Sequence, residues 1–156
     1  MGAISTRRGR PTGSEELDLA SQLRLAVMRL ARRLRQRADA GITPSMLSAL
    51  SSVARRGPMT LGDLAGTERI TPATLSVIVG RLEQSGLVAR ESDPSDGRVV
   101  LVRLTADGRR LIERSRKRKT AYLARGIDRL DSTEREALAR ALPVLERLIL
   151  LGDDGQ

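Results

Sequence analysis

The sequence predicts a mostly α-helical chain with a small two-stranded β-wing, and three observations carry that class. Apolar residues recur at three- and four-residue steps along most of the 156 residues. Threonine, followed by proline or by an acid in the next turn, opens segment after segment in the way helices begin. Two short aliphatic runs flank the turn formers Ser92-Asp93-Pro94-Ser95-Asp96-Gly97-Arg98, the pattern of a hairpin with a longer loop.

Residues 1–13, rich in Gly, Thr and Arg, read as a flexible basic tail. Ser14 opens a helix over 14–41, with Glu15, Glu16 and Asp18 at its positive end. Leu19, Leu23, Ala26, Leu30 and Leu34 form its apolar stripe, and Gly41 stops it. Thr43-Pro44 starts a short helix carrying Met46, Leu47 and Leu50, which ends before Gly57-Pro58. Thr60 with Asp63 resembles a capping box, and Leu61, Leu64 and Ala65 give that helix its buried edge. Thr71-Pro72 repeats the cap-plus-proline signal. The helix it opens runs to about Ser85 and stops at Gly86. Strands are expected over 87–91 and 99–104. Thr105 then caps a long helix whose middle, from Arg114 to Lys119, is strongly basic. A last helix starts around Asp131, with a kink or break expected at Pro143, and 151–156 reads as a frayed tail.

Composition narrows the chemistry. Neither His nor Cys is present, so there is no imidazole base, no thiolate nucleophile, no disulfide and no thiol redox sensor. No phosphate-cradling glycine loop or convincing carboxylate pair replaces them. No enzyme, catalytic residue, metal ligand or cofactor is therefore expected. No apolar stretch approaches the roughly 20 residues of a membrane span and no signal peptide opens the chain, so the expected location is the cytoplasm, with no membrane partner. Lys and Arg number 28 against 19 acids, a net charge of +9, which suits a polyanion. With Tyr122 as the one aromatic residue, there is almost nothing on which unpaired bases could stack, which disfavours single-stranded RNA.

The order helix, helix, short helix, turn, helix, hairpin is that of a winged helix-turn-helix lobe, 42–104. It is flanked by N-terminal (14–41) and C-terminal (105–150) dimerisation helices. In such a lobe the helix starting at Thr71 would enter the major groove of double-stranded DNA. Leu75, Ile78, Val79 and Leu82 would face the core, and Thr71, Pro72, Ala73, Thr74, Ser76, Val77 and Arg81 are the candidate readers. Their chemistry fits. Small residues permit close approach, Thr74 and Ser76 can bond bases or phosphates, Ala73 and Val77 can meet thymine methyls, and Arg81 can reach guanine or a phosphate. On the wing, Arg98 can enter a narrow minor groove, with Asp96 placed to hold its guanidinium. Thr60 is a lesser candidate for a phosphate contact. The apolar stripes of the outer helices are too extensive for one small lobe to cover, which points to a homodimer and hence a near-palindromic operator. Yet 42–104 holds seven bases and six acids, so the lobe itself is almost neutral. That neutrality favours a rival reading, a winged-helix protein-interaction module that no longer binds DNA.

The series Gly86-Leu87-Val88-Ala89-Arg90, Asp93-Pro94-Ser95-Asp96-Gly97-Arg98 and Leu104-Thr105-Ala106-Asp107-Gly108 resembles the multiple-antibiotic-resistance regulator (MarR) family, with likeness over about 15–150. The resemblance implies a triangular homodimer with two winged lobes facing DNA. It implies a repressor or activator, often released by a small aromatic or anionic effector bound between the dimer helices and the lobe. It puts Thr71, Thr74, Ser76, Val77 and Arg81 on the recognition helix and makes Asp96 and Arg98 the wing pair. The chain departs from the family at Gly97, where Arg is usual, and at Val77, where many members carry Arg. Neither the effector nor the residues of its pocket are identified by the sequence.

Overall fold

The computed structural model describes residues 13–37 and 41–153. Nine elements follow one another: α1 (Gly13–Arg37), α2 (Pro44–Arg56), β1 (Met59–Thr60), α3 (Leu61–Glu68), α4 (Pro72–Gln84), β2 (Val88–Ser92), β3 (Val100–Leu104), α5 (Ala106–Ile127) and α6 (Ser132–Asp153). The tail expected over 1–13 lies outside the described residues except for Gly13, which opens α1.

Local chemistry sets the helix starts. Thr43, Thr60, Thr71 and Thr105 sit in extended backbone, and each accepts the amide N–H three residues on, from Met46, Asp63, Thr74 and Gly108. Each such cap stabilises its helix by about 1 kcal/mol. Pro44 and Pro72 occupy the first turns of α2 and α4, where a missing N–H costs nothing. α6 has a reciprocal cap: Glu134 N–H donates to Asp131 Oδ1 (2.8 Å) and Asp131 N–H to Glu134 Oε2 (3.0 Å). At Thr60 the capping-box resemblance is only partial. The Asp63 carboxylate accepts the Thr60 hydroxyl (2.7 Å).

The hairpin forms as expected, with β2 antiparallel to β3 from Val88↔Leu104 to Ser92↔Val100. The sheet nevertheless has three strands, in the order β1-β3-β2, because Met59 and Thr60 pair with Val102 and Leu101. Two residues between Pro58 and the start of α3, the second of them the helix cap, are too few to show an alternating pattern, so this strand left no trace in the periodicity. At Pro143 the expected break does not occur, and α6 continues through it. The proline withdraws a hydrogen bond only from the carbonyl of Ala139, and both residues are exposed, so water can take the donor's place. Of the frayed tail expected over 151–156, residues 151–153 belong to α6 and the rest lies outside the described residues.

One apolar cluster holds the middle of the chain together. Leu50, Leu64, Leu75, Val79, Leu82 and Val102 are its fully buried centre, and Leu111 brings the start of α5 against it. Truncating any of these leucines to alanine would cost about 2–5 kcal/mol. By contrast α1 buries no residue at all, and none of the α6 residues whose burial is described, 132–151, is buried. Arg37 stacks over the Tyr122 ring, 5.4 Å from its centroid, joining the end of α1 to α5.

A tight joint locks α4, the hairpin and α5 together. Gly86 ends α4 at φ +69°, which lets Leu87 N–H return to Leu82 O (2.9 Å). Thr105 then bonds back to this turn twice, N–H to Leu87 O (3.2 Å) and hydroxyl to Gly86 O (2.7 Å). A Cβ on Gly108 would run into the Leu87 carbonyl, whereas one on Gly80 would meet nothing. Gly108→Ala is therefore expected to destabilise the fold by about 2–4 kcal/mol in denaturant unfolding. Gly80→Ala, in open space within α4, should leave stability unchanged or raise it by up to about 1 kcal/mol. Equal stability of both variants would show that the joint is not tight.

Candidate nucleic-acid interface

Helix α4 divides its residues sharply. Leu75, Val79 and Leu82 are fully buried, while Thr71, Pro72, Ala73, Thr74, Ser76, Val77 and Arg81 are exposed. Val77 presents 57% of its surface to solvent, a branched apolar side chain opposite the core stripe. All seven candidate readers are thus exposed, but they do not share one face: at about 100° per residue Ala73, Val77 and Arg81 lie opposite the core stripe with Thr74 at the edge, while Pro72 and Ser76 lie towards its flank and Thr71 caps the helix. Two of their hydroxyls are partly committed. Thr71 Oγ1 accepts Thr74 N–H (3.2 Å) and shares a hydrogen bond with Thr74 Oγ1 (2.9 Å). Thr60 is committed too, with its hydroxyl on the Asp63 carboxylate, so a phosphate reaching it would have to displace a like charge.

The wing loop is ordered by its acids. Asp93 Oδ1 accepts both the amide (2.7 Å) and the hydroxyl of Ser95. The Ser95 hydroxyl first, and its amide second, hold the Asp93 carboxyl below the usual carboxylate range. A lowered pKa means that the charge is kept at neutral pH, and this contribution to the turn is lost only as pH falls through that depressed value. Asp93 N–H to Val99 O (2.8 Å) and Val99 N–H to Asp96 O (2.9 Å) close the loop. The sequence suggested that Asp96 holds the Arg98 guanidinium. Instead its carboxylate accepts the Arg98 backbone N–H (3.0 Å). An acid two residues upstream is within easy reach of a main-chain amide, as in an Asx-turn, so it shapes the tip and leaves the guanidinium to point elsewhere. Among the described residues no ion pair engages that guanidinium. At the wing's root, Arg90 of β2 approaches Glu83 of α4 (3.5 Å), and Arg103 pairs with Glu91 across the strands (2.7 Å).

The helix pair ahead of α4 carries a link that periodicity does not reveal. Ser52, buried on α2, donates to Glu68 Oε1 at the end of α3 (2.5 Å), and Arg55 reaches the same hydroxyl (3.4 Å). Arg56 donates to Thr67 (3.0 Å). These bonds fix α3 on α2, and through it the pose of α4.

A groove of about 1150 Å³ opens between α1, α2, α5 and the end of α4. Its apolar side includes Ile42, Met46, Leu47 and Leu123, and its rim carries Arg35, Arg55, Arg81, Arg116 and Lys119. No acid is found among the described lining residues. Ser115, only 3% exposed, lines it with a hydroxyl that has no hydrogen-bond partner among the described residues. An apolar floor, a cationic rim and a spare hydroxyl suit an anion with an apolar body. The resemblance implied an effector between the dimer helices and the lobe, but the sequence identified none of the residues that line this groove. The available signal was Ser115 itself, a polar residue one turn after Leu111 on the buried face of α5. Among the described residues no cluster of acids could hold a metal ion.

Comparison with known proteins agrees with this architecture. Residues 42–100 match the sequence model of the MarR family. An uncharacterized HTH-type transcriptional regulator of Mycobacterium leprae is 40% identical over 132 residues, covering 84% of this chain and 92% of its own length. A solved structure from Pseudomonas aeruginosa is 35% identical with a TM-score of 0.78, over 89% of this chain and 99% of that one. A MarR family protein from Bacillus stearothermophilus is 27% identical with a TM-score of 0.76, over 90% of this chain and 99% of that one.

Proposed function

The chain belongs to the MarR family, and from that premise we propose that it acts as a homodimeric repressor reading a near-palindromic operator through α4 and the wing. Membership makes it a DNA-binding transcriptional regulator and not an enzyme. The observation that carries the finer reading is the exposed face of α4 opposite its core stripe, with Ala73, Val77 and Arg81 on it and Thr74 at its edge, beside a wing whose Arg98 guanidinium has no acidic partner among the described residues. A helix in the major groove with an Arg in the adjacent minor groove would read two grooves at once.

The second copy is called for by what one chain leaves uncovered. Leu17 and Leu19 on α1, and Leu148, Ile149, Leu150 and Leu151 on α6, are all exposed, Leu17 at 72% and Ile149 at 68%. A pair of such helices packed on the same helices of a twin would remove this surface from water, at about 25 cal/mol per Å² of apolar area. Two lobes related by a two-fold axis then present two copies of α4 to successive turns of one duplex face. A protein seated this way on a promoter excludes polymerase from it, so the sign we assign is repression.

The cationic groove supports an effector-released mechanism. Arg81 belongs both to the α4 face and to the groove rim, so a bound anion and a DNA contact would draw on the same guanidinium.

We expect Arg98→Ala to weaken duplex binding by about tenfold with the fold intact, the loss of one charge-assisted contact. Titration at two salt concentrations checks this, and equal affinity at matched salt would remove the wing from the mechanism. Wild-type protein that fails to bind at low salt would favour the protein-interaction reading. We also expect a substituted benzoate to displace the duplex, and Ser115→Val to blunt that displacement while DNA affinity stays unchanged. Displacement equal in both proteins would place the effector elsewhere.

A further inference from the structure

The lobe that reads DNA holds almost no net charge, seven bases against six acids over 42–104. A duplex is a dense polyanion, and most of the affinity of its binders comes from neutralised phosphates. Helix α5 holds the missing charge, with eight bases against two acids between Ala106 and Ile127, +6 of the chain's +9.

That charge is arranged on an open surface. Arg109, Arg110, Arg114 and Lys117, with Glu113, line one shallow furrow along α5 and are all exposed. Leu111 and Ser115 are buried on the opposite side of the helix. Only two acids temper the stripe, Asp107 beside Arg110 and Glu113 at 3.7 Å from Lys117. The exposed aliphatics that call for a second copy lie on α1 and α6, and on α5 only at Ile127, near its far end. Packing of a twin therefore does not need the stripe. The stripe starts within one turn of Thr105, which is bonded to the end of α4. From Arg109 to Lys117 it spans about 12 Å, comparable to three or four successive phosphates of one strand.

We infer that the basic stripe Arg109–Arg110–Arg114–Lys117 is the main docking surface for the DNA phosphate backbone, supplying the salt-dependent part of binding while α4 and the wing supply the selection. The inference rests on the DNA-binding reading above and divides its labour between two surfaces. Steering toward the duplex and sequence discrimination then reside on different elements and can be lost separately.

The test replaces all four bases by Gln in the full chain, a substitution that keeps helix propensity. Affinity for a random-sequence duplex is measured from low to moderate salt, with circular dichroism confirming unchanged helicity. The expected result is a plot of log affinity against log salt shallower by about 2 or more, with affinity at low salt down at least about tenfold. Glu113→Gln, which removes an acid from the stripe, should shift affinity in the opposite direction. Wild-type slope and affinity in the quadruple variant would overturn the inference alone. Absence of salt-dependent duplex binding by the wild type would overturn the DNA-binding reading beneath it. A variant that loses binding to anionic lipid vesicles while its duplex slope is unchanged would assign the stripe to a membrane surface and also overturn the inference.

Discussion

Everything functional in this chain depends on the joint where the main chain of Gly86 and Leu87 meets Thr105 and Gly108. Gly86 turns out of α4 at a positive φ, and Thr105 closes on that turn with two hydrogen bonds. Gly108 leaves room for the Leu87 carbonyl against the first turn of α5. Three elements with different tasks are thereby held at fixed mutual angles: the exposed helix face, the β-ribbon and the long basic helix. Were the joint loose, the distance from Val77 to Arg98 would not be set, and no fixed pair of grooves could be matched.

The distribution of polarity follows from the same arrangement. A helix that must lie close against base edges gains from small, uncharged residues, and α4 offers Ala73, Thr74, Ser76 and Val77 there. Charge resides on other elements, at Arg98 on the ribbon and along α5. The loop of the wing keeps its acids for shaping its own backbone: Asp93 and Asp96 both accept main-chain amides. In that light the near-neutral lobe is compatible with DNA binding, since shape and attraction need not be properties of the same residues.

Most of the fold was legible in the residues because local signals and tertiary packing agree. Each Thr-Pro or Thr-x-x-acid start became a capped helix, and the buried members of α4 are three of the four its spacing predicted, with Ile78 left half-buried. Where local and tertiary signals part, the sequence was silent or misleading. Strand β1 exists only because β3 offers it a partner, and two residues hold no period of their own. Pro143 is a local helix breaker that an exposed surface tolerates. The exposed side of α4 was readable from periodicity, and the wing arginine was singled out by its place after the turn formers of the hairpin. The role of Asp96 was not, because sequence cannot show whether a carboxylate takes a side chain or an amide as its partner. The residues of the cationic groove were also hidden, since its walls come from four segments of the chain and only the fold brings them together.

The central claim is that two copies of one open helix face and one ribbon arginine contact a single duplex. Selection of bound duplexes from a random pool measures this most directly. The account predicts enrichment of two inverted half-sites centred about one helical turn (~34 Å) apart, each half-site flanked by a segment with a narrow minor groove. A pool that enriches no motif, or only a lone half-site without a symmetric mate, would contradict it.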